Sequence, residues 1–211
     1  MIKYIFFDVS GTVLGKPSLF QKINDVLVEF GHKVSFDELK HKHKLLSEVI
    51  HFPDRTDEQF YNNFNAELLR LLGIVPNDDI LKEIFKNCTY LPWEKFGDTD
   101  VLNKISLPMG IISNFNSTLK DKLNQFFGPV FKDILVSEEL GIAKPKVEFY
   151  QKALDRIGYK ASEVLYVGDS IKLDIEPAAQ LGMKCLLIDR DDFYQKSNYK
   201  ITTLNEILEF I

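Results

Sequence analysis

The chain has 211 residues, long for one average domain, so a single domain carrying a sizeable insertion is the starting expectation. Its 26 basic and 31 acidic side chains leave a formal net charge of -5, which argues against a nucleic-acid scaffold held by phosphate contacts and points to small-molecule partners. Hydrophobic residues make up 45% of the chain, enough for a packed core without staples, and the two cysteines, Cys88 and Cys185, lack CxxC or His spacing and read as reduced core thiols.

The first apolar run, Tyr4 to Phe7, has strand length. Lys3 breaks the apolar stretch before it and Asp8 stops it, so the segment is too short and wrongly flanked for a signal peptide. No later run approaches the ~20 residues of a membrane span, and a cytoplasmic protein with no membrane partner is expected.

From residue 15 to about 100 the pattern turns helical. Leu19, Phe20, Ile23, Val26, Leu27 and Phe30 form one stripe, and a second helix is predicted from Thr56, with Gln59 completing a capping box, to Gly73. No convincing strand lies between Leu14 and Pro108, and Pro92-Trp93 stands near the return to the core. The economical reading is an all-helical insertion over residues 15–96, with 1–14 and 97–211 forming the core. The basic run Lys40-His41-Lys42-His43-Lys44 reads as a solvated face, because histidines two residues apart on a helix do not face each other.

Past the insertion, apolar runs at Met109 to Ile112, Ile134 to Val136, Val164 to Val167 and Cys185 to Ile188 suit strands buried on both faces of a parallel sheet. Between them, Tyr150, Ala153, Leu154 and Ile157 mark a helix that begins after Pro145 and stops at Gly158. The repeated strand-helix order implies right-handed crossovers and a doubly wound α/β fold.

In such sheets ligands gather outside the carboxyl ends of the strands. Those ends carry Asp8, then Ser113-Asn114, then Gly168-Asp169-Ser170 with Asp174, while Lys144 enters from a loop before a helix. Each has an ordinary alternative. Ser113 could cap a helix near Asn116, Lys144 could be solvated, and acids at 169 and 174 suit the first turn of a helix. Folding alone does not require all of them at one sheet edge.

In order, FFDVSGTVL, MGIISNFN, GIAKPKVEFY and LYVGDSIKLDIEPAAQLGM resemble the four motifs of the haloacid dehalogenase (HAD) superfamily: DxDGT, a strand ending in Ser or Thr, a Lys often followed by Pro, and GDxxxxD. The likeness covers the core from end to end and is similar to the branch of phosphoglycolate phosphatases and 2-haloacid dehalogenases. It implies a Rossmann-like core, a type 1 helical cap over small substrates, and Asp8 as the nucleophile that attacks the phosphorus of a small phosphate ester. It further implies Mg²⁺ held by Asp8, the Ser10 carbonyl, Asp169 and Asp174, since hard cations prefer oxygen. Ser113 and the backbone around Asn114 would bind phosphoryl oxygens, Lys144 would neutralise charge, and Gly11-Thr12 would supply the tight turn and nearby donors.

Ser10 departs from the motif. The usual second Asp protonates the leaving group and later activates water, work that contributes ~10²–10⁴ in rate and that a hydroxyl of high pKa cannot do near neutrality. Three readings follow: a Mg²⁺-dependent phosphatase that manages without that acid, a 2-haloacid dehalogenase, whose halide leaves without a proton, or a weakened protein that binds phosphate esters. Three carboxylates against Lys144 alone favour the metal-dependent reading.

Overall fold

The computed structural model of the protein describes residues 1–50, 52 and 56–211. It divides into two units, one of residues 1–15 with 95–211 and the other of residues 16–94.

In the first unit, six parallel strands form one sheet. They are β1 (Tyr4–Phe7), β4 (Met109–Ser113), β5 (Phe131–Val136), β6 (Val164–Gly168), β7 (Lys184–Ile188) and β8 (Lys200–Ile201), in the spatial order β5-β4-β1-β6-β7-β8. β1 lies between β4, with Ile5 opposite Met109, and β6, with Phe7 opposite Val167. Every residue of β1, β4 and β6 is buried, which explains why these segments read as unbroken apolar runs. Successive side chains alternate between faces. On one face Tyr4, Phe6 and Tyr166 pack with Phe149, Tyr150 and Ala153 of helix α7 (Val147–Ile157). On the other, Phe7 meets Phe131, which meets Phe127 of α5 (Leu119–Phe127). Both faces are covered, as a doubly wound α/β fold requires.

The chain steps from β1 outward through β4 to β5, then crosses back to β6 on the other side of β1. That reversal opens the sheet's carboxyl edge at β1, the position where such folds place their sites. Helix α7 ends at Gly158, whose φ of 72° is the left-handed stop that the sequence predicts.

The second unit contains α1 (Leu19–Glu29), α2 (Phe36–Val49), α3 (Glu58–Leu71) and α4 (Asp78–Cys88). The predicted stripe of α1 places Ile23, Val26 and Leu27 in a core with Leu39, Leu46, Phe64, Leu68, Leu69, Ile80 and Ile84. The structure differs from expectation in three respects. Helix α3 starts at Glu58 and is capped by Asp57, whose Oδ1 accepts from the Phe60 N–H at 2.7 Å, while Thr56 Oγ1 donates to the Tyr61 hydroxyl. A carboxylate outcompetes a hydroxyl at the positive end of a helix. Two residues, Glu94–Lys95 (β3), form a short strand with Leu14–Gly15 (β2) where the chain leaves and rejoins the core. Two exposed residues carry no periodic signal, so this strand was invisible to pattern.

The third difference is the basic run, which does not lie on a solvated face. All five of its residues are half-buried, and the His43 ring packs edge-on between Phe20 at 5.2 Å and Phe64 at 5.0 Å. Burial, helped by Lys44, pushes its pKa down to about 4. Cys88 and Cys185 are free, half-buried thiols pushed up by burial to about 11 and about 12. No helix among the described residues is long and apolar enough to cross a membrane.

His43 gives this unit a defined pH response. The unfolded chain takes up a proton near 6.5 and the folded chain only near 4, so stability is full above 6.5 and falls as pH drops through that window. Urea unfolding should show about 2 kcal/mol lost between pH 7.5 and 5 that His43→Leu does not lose. An identical pH dependence in the variant would contradict this assignment.

Candidate active site

Asp8 follows β1 directly and is pinned by its own N–H, which donates to the Val167 carbonyl at 2.9 Å. The next residues turn sharply, with the N–H groups of Val13 and Leu14 both donating to the Val9 carbonyl, at 3.0 and 2.9 Å. Gly11 has φ of 81° and is the residue such a turn needs. Its lack of a side chain matters twice, because a Cβ there would lie 2.4 Å from Asp169 Oδ2. Gly168, at the end of β6, meets the same constraint from Asp174, whose Cγ would be 2.4 Å from an added Cβ. The two glycines are therefore the space into which the two carboxylates fit.

Asp8, Asp169 and Asp174 each offer an oxygen within 4.8 Å of the others, and Lys144 joins this group. Its Nζ donates to Asp8 Oδ1 at 2.5 Å and to Asp174 Oδ1 at 2.7 Å, with all three side chains almost wholly buried. Tyr166, from β6, donates its hydroxyl to the same Asp174 oxygen at 2.9 Å, and the Ser170 N–H donates to Asp174 Oδ2 at 3.1 Å. Tyr150 donates to the Leu173 carbonyl and stacks edge-on against Tyr166 at 5.2 Å. Asp174 sits in a single wide turn of helix, Ile171–Ile175, which Ser170 caps by accepting from the Leu173 N–H at 3.0 Å. The cap of that turn is thus Ser170, not Asp169 or Asp174.

Burial first, and then the charges of Asp174 and Asp169, raise the Asp8 pKa to about 7 against the opposing pull of Lys144. For Lys144, burial opposes the charge, but Asp174 and Asp8 outweigh it and hold the ammonium above its ordinary value. Three clustered carboxylates with one ammonium leave a deficit of positive charge, which adds to burial in raising the Asp8 pKa.

The remaining expected residues fall as follows. Ser113 ends β4 and is buried; it caps nothing, since α5 begins at Leu119 after Thr118. The Asn114 side chain has a task of its own. Its Oδ1 accepts from the Lys144 N–H at 2.7 Å and its Nδ2 donates to the Lys144 carbonyl at 3.1 Å, so its side chain clamps the lysine's backbone. Thr12 is fully buried, and its Oγ1 has no hydrogen-bond partner among the described residues. The Ser10 side chain is exposed, and its backbone bridges to Leu14. Sequence reasoning missed Tyr166 and Tyr150, which look like any buried strand or helix aromatic, and also Arg190. The Arg190 guanidinium donates to the carbonyls of Gly11 and Thr12 at 3.2 and 2.6 Å.

This geometry can be set beside known proteins. A family model described as haloacid dehalogenase-like hydrolase matches residues 2–182. The chain belongs to this family. It is 38% identical to a protein of Methanocaldococcus jannaschii named glyceraldehyde 3-phosphate phosphatase, over 100% of this chain and 97% of the relative. Among solved structures, the HAD hydrolase YfnB of Bacillus subtilis, bound to magnesium, superposes with a TM-score of 0.68 at 21% identity, covering 99% of this chain and 98% of that one. A 2-haloacid dehalogenase from Pseudomonas syringae superposes with a TM-score of 0.60 at 23% identity over 99% and 97%. At these identities the structural likenesses establish the HAD fold and do not separate the two chemistries.

Removing the lysine isolates two buried carboxylates. Lys144→Met is expected to cost about 3–5 kcal/mol at pH 8 in urea unfolding, and less at pH 5, where Asp8 is protonated. Equal losses at both pH values would show that the cluster's charge does not govern its stability.

Proposed function

We propose that this HAD hydrolase is a Mg²⁺-dependent phosphatase acting on a small phosphorylated metabolite through an aspartyl-phosphate on Asp8, with residues 15–96 serving as its helical cap domain. The observation that carries the reading is the Asp8, Asp169 and Asp174 cluster with a single buried lysine. A dehalogenase needs no cation, and for it three crowded carboxylates are a liability. For a phosphatase they are a site.

The donor set fits Mg²⁺. Asp8 and Asp169 offer hard oxygens, the Ser10 carbonyl is available whatever side chain stands at 10, and Gly11 leaves the room that Asp169 occupies. Asp174 is the weakest ligand of the set: its Oδ1 already accepts from Lys144 and Tyr166, leaving Oδ2, shared with Ser170, for a cation or its water. When bound, the cation supplies charge that favours ionised Asp8 and withdraws charge from the phosphoryl oxygens.

The chain's own groups then act as follows. Lys144 holds Asp8 Oδ1, which leaves Oδ2 to form the bond to phosphorus as the ester P–O bond breaks. Ser113, at the end of β4, and the backbone around Asn114 hydrogen-bond the phosphoryl oxygens, with Gly11-Thr12 completing the cradle. The Asn114 side chain contributes by fixing Lys144, and Tyr166 and Asp174 fix its ammonium. The leaving alkoxide takes its proton from water, since Ser10 cannot supply it. Water then attacks the phosphorus of the aspartyl-phosphate, and phosphate leaves with Asp8 regenerated. The lack of an acid at 10 favours substrates whose leaving group needs little help, and the name of the M. jannaschii relative makes glyceraldehyde 3-phosphate the first compound to try.

Phosphate release from glyceraldehyde 3-phosphate and p-nitrophenyl phosphate should require Mg²⁺, stop with chelator, and fall by at least about 10⁴ in Asp8→Asn. Chelator-resistant turnover, or activity surviving in Asp8→Asn, would sink the mechanism. Ser10→Asp should raise kcat on glyceraldehyde 3-phosphate, whose alkoxide leaving group needs a proton, by about tenfold or more, and change p-nitrophenyl phosphate turnover less. An unchanged or lower rate would mean that the site is built around serine.

A further inference from the structure

The loop that carries Ser10 is held by a residue outside the four motifs. Arg190, two residues past β7, reaches back to donate from Nε to the Gly11 carbonyl at 3.2 Å and from Nη2 to the Thr12 carbonyl at 2.6 Å. Its third nitrogen, Nη1, donates to Asp98 Oδ2 at 2.7 Å, and its guanidinium lies over the Phe96 ring at 3.9 Å from the centroid. Both partners are themselves fixed. Asp98 Oδ2 also accepts from the Thr203 hydroxyl at 3.0 Å and the Leu204 N–H at 2.8 Å, and the Phe96 ring fills the place beside Gly15, where a Cβ would lie 2.6 Å away. A planar fork with three donors committed in three directions has little freedom to turn.

The two carbonyls that Arg190 holds belong to the peptides immediately after the Ser10–Gly11 peptide. That peptide is held from its other side, because the Gly11 N–H donates to the Leu14 carbonyl at 2.9 Å. In a trans peptide the C=O points opposite to the N–H, so this bond and the Arg190 bonds together set the direction of the Ser10 carbonyl. The Asp169 carboxylate packs against the same turn, at Gly11.

We propose that Arg190 is a positioning residue for divalent-cation binding: by locking the Gly11 and Thr12 peptide planes it aims the Ser10 carbonyl and keeps the turn open for Asp169. It touches neither substrate nor the reacting atoms. The inference rests on the proposed role of Ser10 and Asp169 as cation ligands. It adds to that role a cause for the loop's shape, and it makes the segment at Phe96 and Asp98, where the chain rejoins the core, part of the site's support.

The test is a titration that needs no turnover. Mn²⁺ binding to the whole protein, followed by electron paramagnetic resonance, is compared for the native sequence, Asp169→Asn, Arg190→Lys and Arg190→Met, well below each melting temperature. Arg190→Met should bind Mn²⁺ about tenfold more weakly, as loss of an outer support of a metal site does. Arg190→Lys, which keeps the charge beside Asp98 but cannot hold both carbonyls, should lose less and also covers the case in which the methionine variant fails to fold. With p-nitrophenyl phosphate, raising Mg²⁺ should restore kcat in both variants while KM at saturating Mg²⁺ stays within about twofold. Unchanged Mn²⁺ affinity in folded Arg190 variants, with only a lower melting temperature, would reduce Arg190 to a fold residue and leave the cation reading standing. If the native protein bound no Mn²⁺, or Asp169→Asn bound it equally well, the cation reading would fall and this inference with it.

Discussion

Everything at the sheet's carboxyl edge is arranged around one buried ammonium, Lys144, bonded at once to Asp8 and Asp174. Isolated, each of these charges would be costly to bury; together they are tolerable only in one geometry. That geometry explains otherwise separate features. Asn114 grips both polar groups of the lysine's backbone, Tyr166 supports Asp174 from below, and α7 follows Pro145 so that the lysine's loop reaches β1. The same cluster is short of positive charge, and a divalent cation of the proposed kind would fill that deficit and let an anionic phosphoryl group approach.

The second constraint is space. Gly168 ends β6 and Gly11 lies in the turn that follows the adjacent strand β1, and each gives way to a carboxylate. An alanine at either position would displace the acid rather than merely strain the backbone. The motif glycines are thus half of the acidic cluster's packing, and the turn after Asp8 is shaped by Asp169 as much as by its own conformation. The role proposed for the Ser10 carbonyl makes no demand on its side chain, and Ser10 is exposed.

How much of this was legible depended on the range of the cause. Strands β1, β4 and β6 were readable because both their faces are buried, so apolar character alone marks them. The edge of the sheet was not: β8 has only two residues, and its place beside β7 follows from tertiary pairing. Asp8, Lys144, Asp169 and Asp174 could be nominated because strand ends and motif order put them on one edge, and they do meet there. Arg190 and the side-chain role of Asn114 left no such trace, since each acts on a partner far away in sequence, and Tyr166 reads like any buried strand aromatic. His43 was misread for the opposite reason. Its charged neighbours suggested solvent, but helical rotation turned it toward Phe20 and Phe64.

The account stands on Asp8 forming a covalent bond to phosphorus. The direct measurement is borohydride trapping during turnover of p-nitrophenyl phosphate with Mg²⁺, followed by mass spectrometry of the peptide that contains residues 4–16. Reduction of an aspartyl-phosphate leaves homoserine, and the account predicts homoserine at position 8 only while substrate is being consumed. Homoserine at another acidic residue, or turnover with aspartate intact at position 8, would contradict it.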